Sequence, residues 1–274
     1  MTEDEVRIMG PGGPLAGRLI LPEAPDKAIV INAATAVPAG YYAPFARWLA
    51  SEHSAAVLIW DYRDFAASGD PRRSRATMAD WGVHDAAAVR RWMGQRCPGL
   101  PLWVIGHSLG GLALPFQPDL HLVDRAIIVA AGPVALREHP WPLRAGIAAM
   151  WHGYGPAAVA LLGYFPGRRM MLGADVPGPA FRQWRRWCTT DGSCLADPDM
   201  PPLASPALSC PVTLISFSDD GMVPAPAVTR LADWMPKAAV TRRLIAPQDH
   251  GVHSIGHIAA FASRNRAVWP ALVA

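Results

Sequence analysis

The chain of 274 residues is long enough for one large α/β domain or two small ones, and it can build a core without disulfide or metal staples. Apolar residues make up 51% and charged residues only 17%, which excludes a disordered chain, a coiled coil and a charged-tail protein. The formal charge of +3, with no Lys/Arg run interleaved with aromatics, argues against a nucleic-acid partner.

In chain order, residues 6–9 and 15–21 flank a Gly/Pro turn cluster and read as a hairpin. Lys27–Asn32 (KAIVIN) is a continuous apolar run of the kind a strand buried on both faces requires. Residues 38–51 carry helical periodicity through Tyr42, Phe45, Ala46 and Leu49, and Ala55–Trp60 (AAVLIW) is a second buried strand. The spacing of Trp81, Asp85, Val89 and Trp92 predicts a helix over 78–95. Residues 102–105, 125–131, Pro211–Phe217 and 240–245 are further strands, with helices near 225–235 and over 257–269. Strands alternating with helices predict an α/β fold with a mostly parallel sheet covered on both faces, and antiparallel strands at one edge from the opening hairpin.

Residues 133–209 break this alternation. They hold Trp141, Trp151, Trp184 and Trp187, and a loop that long without structure is uncommon inside a compact domain. The segment is expected to be a helical lid inserted into a core made of residues 1–132 and 210–274. Within it, residues 145–167 run 23 positions without Asp, Glu, Lys or Arg, long enough to span a bilayer, but Pro156, His152 and the glycines argue against one spanning helix. Seven arginines (137, 144, 168, 169, 182, 185 and 186) flank or follow this run, against two acids, Glu138 and Asp175. The N-terminus is acidic and lacks signal-peptide regions, so a cytoplasmic location is expected. Cys97, Cys188, Cys194 and Cys210 show no C-x-x-C and no zinc-ligand spacing; Cys188 and Cys194 could bridge, but free thiols suit such a chain better.

The strongest chemical signal is Gly106-His107-Ser108-Leu109-Gly110, a G-x-S-x-G string between a buried strand and a short helix-compatible stretch. That is the context of a nucleophile elbow, in which small flanking glycines let the chain turn sharply and present the serine hydroxyl above the sheet. The backbone N–H of Leu109 then faces an oxyanion beside Ser108. Pro115 and Pro118 come so soon afterwards that the following helix must be short. A serine needs a base and an orienting acid, expected in the order Ser, Asp/Glu, His. Asp220, after the strand ending at Phe217, is the candidate acid, with Asp219 its rival as a turn or capping residue. His257, following Gly256 at the start of an apolar stretch, is the candidate base, with His250 and His253 as rivals; His107 more naturally packs or orients. The loop Asn32-Ala33-Ala34-Thr35-Ala36 should supply a second oxyanion donor, with Ala34 N–H preferred over Ala33 or Thr35.

Taken together, INAATAVPAGYYAPFARWLA, WDYRDFAASG, GHSLGG, LLGYFPGRRM, FRQWRRWC, SFSDD and IGH resemble the α/β-hydrolase superfamily, and more narrowly bacterial α/β hydrolases related to serine esterases and lysophospholipases. The resemblance runs from about residue 27 to 269. It implies a Ser108–Asp220–His257 triad, no cofactor and acyl transfer to water, while the cysteine and histidine spacing already argues against a metal site. Residues 61–68 match the family's D-x-R-G-x-G-x-S segment with Asp64 and Ala66 in place of glycines, and Asn32 replaces the histidine of the usual His-Gly pair. A serine at position 108, and not a carboxylate, excludes haloalkane-dehalogenase and epoxide-hydrolase chemistry.

The expected function is therefore hydrolysis of carboxylic esters with hydrophobic groups, the apolar lid roofing the pocket. The expected partner is a small-molecule ester, with no nucleic acid and no stable membrane span. Two rivals keep the fold: an acyltransferase using the same triad with another acceptor, and a catalytically silent ligand-binding protein.

Overall fold

Three apolar hexapeptides, KAIVIN, AAVLIW and LWVIGH, become the centre of an eight-stranded sheet. The structure, a computed structural model, describes residues 1–170 and 172–274; Met171, inside the expected lid, lies outside the described residues. In chain order the strands are β1 (Thr2–Gly10), β2 (Gly13–Leu21), β3 (Lys27–Asn32), β4 (Ala55–Trp60), β5 (Leu102–His107), β6 (Arg125–Val129), β7 (Tyr164–Phe165), β8 (Val176–Pro177), β9 (Pro211–Phe217) and β10 (Ala239–Ile245). The α-helices are α1 (Ala43–Glu52), α2 (Ala86–Arg96), α3 (Leu109–Leu112), α4 (Leu143–Ala149), α5 (Gly155–Leu162), α6 (Gly178–Thr189), α7 (Ala225–Arg230) and α8 (Trp269–Val273).

The main sheet runs β1-β2-β4-β3-β5-β6-β9-β10. Only the β1/β2 and β2/β4 pairings are antiparallel; the rest are parallel. Every residue of β4 and nearly all of β3 is buried, which is why these strands read as unbroken apolar runs and not as an alternation. The edges are different: β1 exposes Glu3, Asp4 and Glu5, and β10 exposes Arg242, charges that discourage pairing with another sheet. From β3 the chain moves to β4 on one side and then recrosses to β5 on the other. That reversal leaves a crevice at the carboxyl ends of β3 and β5, where open α/β sheets bind ligands.

The turn after β4 keeps the shape glycines would give it. Asp64 and Ala66 both take left-handed backbone angles, φ 53° and 49°. Asp61 stabilises the segment from inside, its two carboxylate oxygens accepting the N–H groups of Ala39 (2.7 Å) and Ala67 (3.2 Å). Burial pushes the Asp61 carboxyl up, and these two hydrogen bonds oppose that shift.

Two helices depart from expectation. The helix predicted over 78–95 begins with a π-helical stretch, Asp80–Asp85, before α2, and Asp85 at its end makes a buried ion pair with Arg63. The helix predicted over 257–269 does not form as one unit. It is two 3-10 segments, Ala259–Phe261 and Ser263–Val268, ahead of α8, because Ala262 is extended (φ −69°, ψ 143°). The buried Asn265 amide donates to the carbonyls of Ser254 and Ala259 at 2.9 Å each, supplying side-chain bonds where a regular helix would use backbone ones.

The insertion between β6 and β9 is largely helical, through α4, α5 and α6, but it also contains the small antiparallel pair β7/β8. Its apolar run is broken into α4, a π-helical turn (Met150–Tyr154), α5 and β7. No helix among the described residues is long and apolar enough to cross a membrane. Several hydrogen bonds tie the insertion to the core. The Gln183 side chain accepts Ala79 N–H at 2.9 Å, Ala174 N–H donates to Ala36 O at 2.9 Å, and Ala204 N–H donates to Pro115 O at 2.9 Å. All four cysteines are free, Cys188 and Cys194 included.

Candidate active site

Ser108 stands at the end of β5 with φ 50° and ψ −113°, a conformation a non-glycine residue holds only where its surroundings enforce it. The glycines around it explain the enforcement. A Cβ on Gly106 would lie 2.5 Å from the Gly110 carbonyl oxygen, and one on Gly110 would lie 2.3 Å from the Asn32 carbonyl oxygen. Strand, serine and helix α3 therefore close on each other and on β3 at distances only glycine allows. Helix α3 is four residues long and gives way to a 3-10 turn at Leu114–Phe116, as the early prolines require.

Residues far apart in sequence converge on this serine. His257 Nε2 lies 3.0 Å from Ser108 Oγ, and His257 Nδ1 lies 2.9 Å from Asp220 Oδ2. A carboxylate can only accept, so Nδ1 carries the proton and Nε2 presents its lone pair to the serine hydroxyl. Asp220 is fixed in turn: its Oδ1 accepts the N–H groups of Met222 (2.8 Å) and Val223 (3.0 Å). Its side chain is fully buried and that of His257 is 12% exposed, so the pair is shielded while the imidazole edge remains reachable.

The rivals are placed elsewhere. Asp219 accepts the backbone N–H of Ile255 at 2.8 Å and so braces the loop that carries His257. His250 and His253 lie earlier in that loop, half-buried and exposed, and neither bonds Ser108 or Asp220 among the described residues. His107 is fully buried, with Nδ1 2.7 Å from Tyr42 Oη and Nε2 2.8 Å from the carbonyl oxygen of His257. Burial pushes its imidazole down to about 3, so it is neutral.

The oxyanion loop corrects one expectation. Ala34 N–H does not face the serine; it donates to the buried Tyr42 hydroxyl at 2.9 Å. An N–H already bonded inside the core has no proton left for a substrate oxygen. The next residue differs: Thr35 borders the cavity that contains Ser108 and Leu109, and its N–H finds no acceptor among the described residues. Leu109 N–H is likewise free at the start of α3. Asn32 does not enter the cavity; its Oδ1 accepts the Trp60 indole N–H at 3.1 Å. Sequence reasoning missed Tyr41, Tyr42 and Asn265 as supports of the site, since nothing in their spacing marks them.

The cavity over Ser108 is small, about 60 Å³, and is walled by Thr35, Leu109, Val134, Trp184, Trp187 and Cys188. A larger one of about 450 Å³, with Leu136, Trp141, Arg144, Ala148 and His152 in its walls, shares Cys188 with it. Chemistry, and not size, marks the smaller cavity as the site, because only it contains the serine. Among the described residues no cluster of His, Cys, Asp or Glu is arranged to hold a metal ion.

The strand order and the strand–turn–helix at Ser108 are those of the α/β-hydrolase fold. Residues 23–153 match the family described as serine aminopeptidase, S33. No sequence match is found among curated proteins. Among solved structures, an esterase from Pyrococcus furiosus is similar at 15% identity, covering 99% of this chain and 88% of its own, with a TM-score of 0.63. A thermophilic esterase from Thermogutta terrifontis is similar at 17% identity over 98% of this chain and 96% of its own, with a TM-score of 0.59. Mouse α/β hydrolase domain-containing protein 10 is similar at 16% identity over 99% and 97%, with a TM-score of 0.56. At these identities the likeness is one of fold.

Proposed function

We propose that this protein is a serine hydrolase that cleaves carboxylic esters through an acyl-enzyme intermediate. The observation that carries the reading is the unbroken line Asp220–His257–Ser108, 2.9 and 3.0 Å per link, at the carboxyl edge of the sheet. Ser108 Oγ attacks the ester carbonyl carbon while His257 Nε2 takes its proton, and Asp220 stabilises the imidazolium that forms. Leu109 and Thr35 donate their N–H groups to the tetrahedral oxyanion, with Thr35 taking the role first assigned to Ala34. Collapse expels the alcohol, which receives its proton from His257. Water, activated by the same imidazole, then attacks the acyl group and frees the acid and Ser108.

The cavity walls favour esters over peptides with a free amino terminus. Among the described residues lining the Ser108 cavity there is no carboxylate to pair an ammonium group, and the walls are dominated by Leu, Val, Trp and small residues. Residues 133–209 act as a cap, because Trp184, Trp187 and Cys188 of that segment cover the serine. A cavity of about 60 Å³ suits a short acyl group, and the neighbouring space, which has Cys188 in its wall too, is the room we assign to a longer one.

The test is a panel of p-nitrophenyl esters run beside a fluorophosphonate probe, with products analysed with and without alcohol, amine and thiol acceptors. Hydrolysis with labelling of Ser108 is expected. Product appearing only with an added acceptor would instead make the protein an acyltransferase, and no labelling with no turnover would make it a silent ligand-binding protein.

A further inference from the structure

Beneath the nucleophile lies a buried line of hydrogen bonds whose proton order is fixed by its ends. Ala34 N–H can only donate, and it donates to Tyr42 Oη at 2.9 Å. The carbonyl oxygen of His257 can only accept, so the His107 nitrogen 2.8 Å from it, Nε2, must carry the proton. His107 Nδ1 is then the acceptor, and the Tyr42 hydroxyl donates to it at 2.7 Å. Every donor and acceptor is matched once, in one tautomer and with a neutral imidazole. The rings are held by contact as well: His107 packs against Tyr42, His257 and Phe261 with centroids 5.9, 5.4 and 5.0 Å apart.

The same line grips one peptide unit of the oxyanion loop from one side while another tyrosine grips it from the other. The carbonyl oxygen of Ala33 accepts the Tyr62 hydroxyl at 2.7 Å. That carbonyl and Ala34 N–H belong to a single planar trans peptide and point in opposite directions. The unit is thus pinned between two buried hydroxyls, Tyr42 and Tyr62 each being 1% exposed. It cannot rotate without breaking one of them, and the next unit, which carries Thr35 N–H, is held in turn by its own Ala34 carbonyl oxygen accepting Val37 N–H at 3.2 Å.

We propose that Tyr42 and His107 are positioning residues that lock the oxyanion loop and the backbone of His257 to one another through the residue next to the nucleophile. The proposal rests on the serine-hydrolase reading above. It accounts for a histidine inside G-H-S-x-G that hydrogen-bonds no triad side chain: it joins the two chain segments that must keep register with Ser108. Misplacing catalytic groups by about 1 Å can cost about 100-fold in rate, so the loss from cutting this line should appear in kcat and leave ground-state binding alone.

The test uses the full chain with Tyr42→Phe, which keeps the ring and removes the hydroxyl, together with His107→Asn and His107→Gln. Asn can reach only Tyr42, and Gln only the His257 carbonyl, so each keeps half of the line. For p-nitrophenyl acetate, Tyr42→Phe is expected to lower kcat by about 10- to 100-fold with KM within about threefold of wild type. The rate of fluorophosphonate labelling should fall in parallel, in a protein whose circular dichroism spectrum is native. The two His107 variants should each lose kcat in the same way, and they carry the test if Tyr42→Phe does not fold. Folded variants with kcat and labelling rate within twofold of wild type overturn the proposal and leave these residues a packing role. A wild-type protein that neither hydrolyses the ester nor takes the probe removes the hydrolase reading itself, and the proposal with it.

Discussion

Asp219 accepts the backbone N–H of Ile255 at 2.8 Å, two residues before His257, while the next carboxylate in the chain, Asp220, faces the imidazole. Adjacent acids thus hold the same loop in different ways, one by its backbone and one by the ring it carries. With Asn265 bonding Ser254 and Ala259 and Tyr41 donating to the Ile258 carbonyl, the loop around His257 is braced on both sides.

That division predicts different outcomes for the two acids. Asp220→Asn should lower kcat by about 10⁴, because an amide cannot hold the imidazole in the tautomer that accepts the serine proton. Asp219→Asn should cost no more than about tenfold, since its oxygen can still accept Ile255 N–H. Steady-state kinetics on one ester compares them directly; equal losses would mean that the acid role is not confined to Asp220.

Cys188 lines both the cavity over Ser108 and the larger one. Cys188→Phe should lower kcat/KM for octanoyl esters by at least about tenfold more than for acetyl esters, as expected when a large side chain fills space that the longer chain needs most. An acyl-chain-length series on both proteins checks it. An unchanged chain-length profile would show that long chains leave the site by another route.

Buried His107 ties stability to pH. Its imidazole titrates near 6.5 in the unfolded chain and is pushed down to about 3 in the fold. Between those values the unfolded chain binds a proton that the folded chain does not. This contribution is therefore fully present above pH 6.5 and is lost as pH falls toward 3. One such proton corresponds to a slope of about 1.4 kcal/mol per pH unit inside the window. Urea denaturation at pH 7, 5.5 and 4.5 should show a shallower acid decline for His107→Asn than for wild type; parallel curves would mean that His107 is not the group responsible.

The parallel strands were legible because burial on both faces writes an uninterrupted apolar run: KAIVIN and AAVLIW mark β3 and β4 to the residue. Ser108 was legible for a related reason, since its glycines are local requirements of a turn that closes on β3. The end of the chain was not. HIAAFA has helical composition, but an extended Ala262 and the tertiary bonds of Asn265 override it. Nor could spacing separate Ala34 from Thr35, because the answer depends on a hydroxyl eight residues further on, Tyr42, folding back beneath the loop. The turn at Asp64 and Ala66 teaches the reverse: glycines were absent, yet the left-handed geometry survived because Asp61 holds it from within.

The central claim is that Ser108 is the nucleophile, and one substitution reaches it most directly. Wild-type protein should hydrolyse p-nitrophenyl acetate and take a fluorophosphonate probe on Ser108. Ser108→Ala should remain folded, take no probe and lose hydrolysis by about 10⁶. Undiminished turnover by Ser108→Ala would contradict the account.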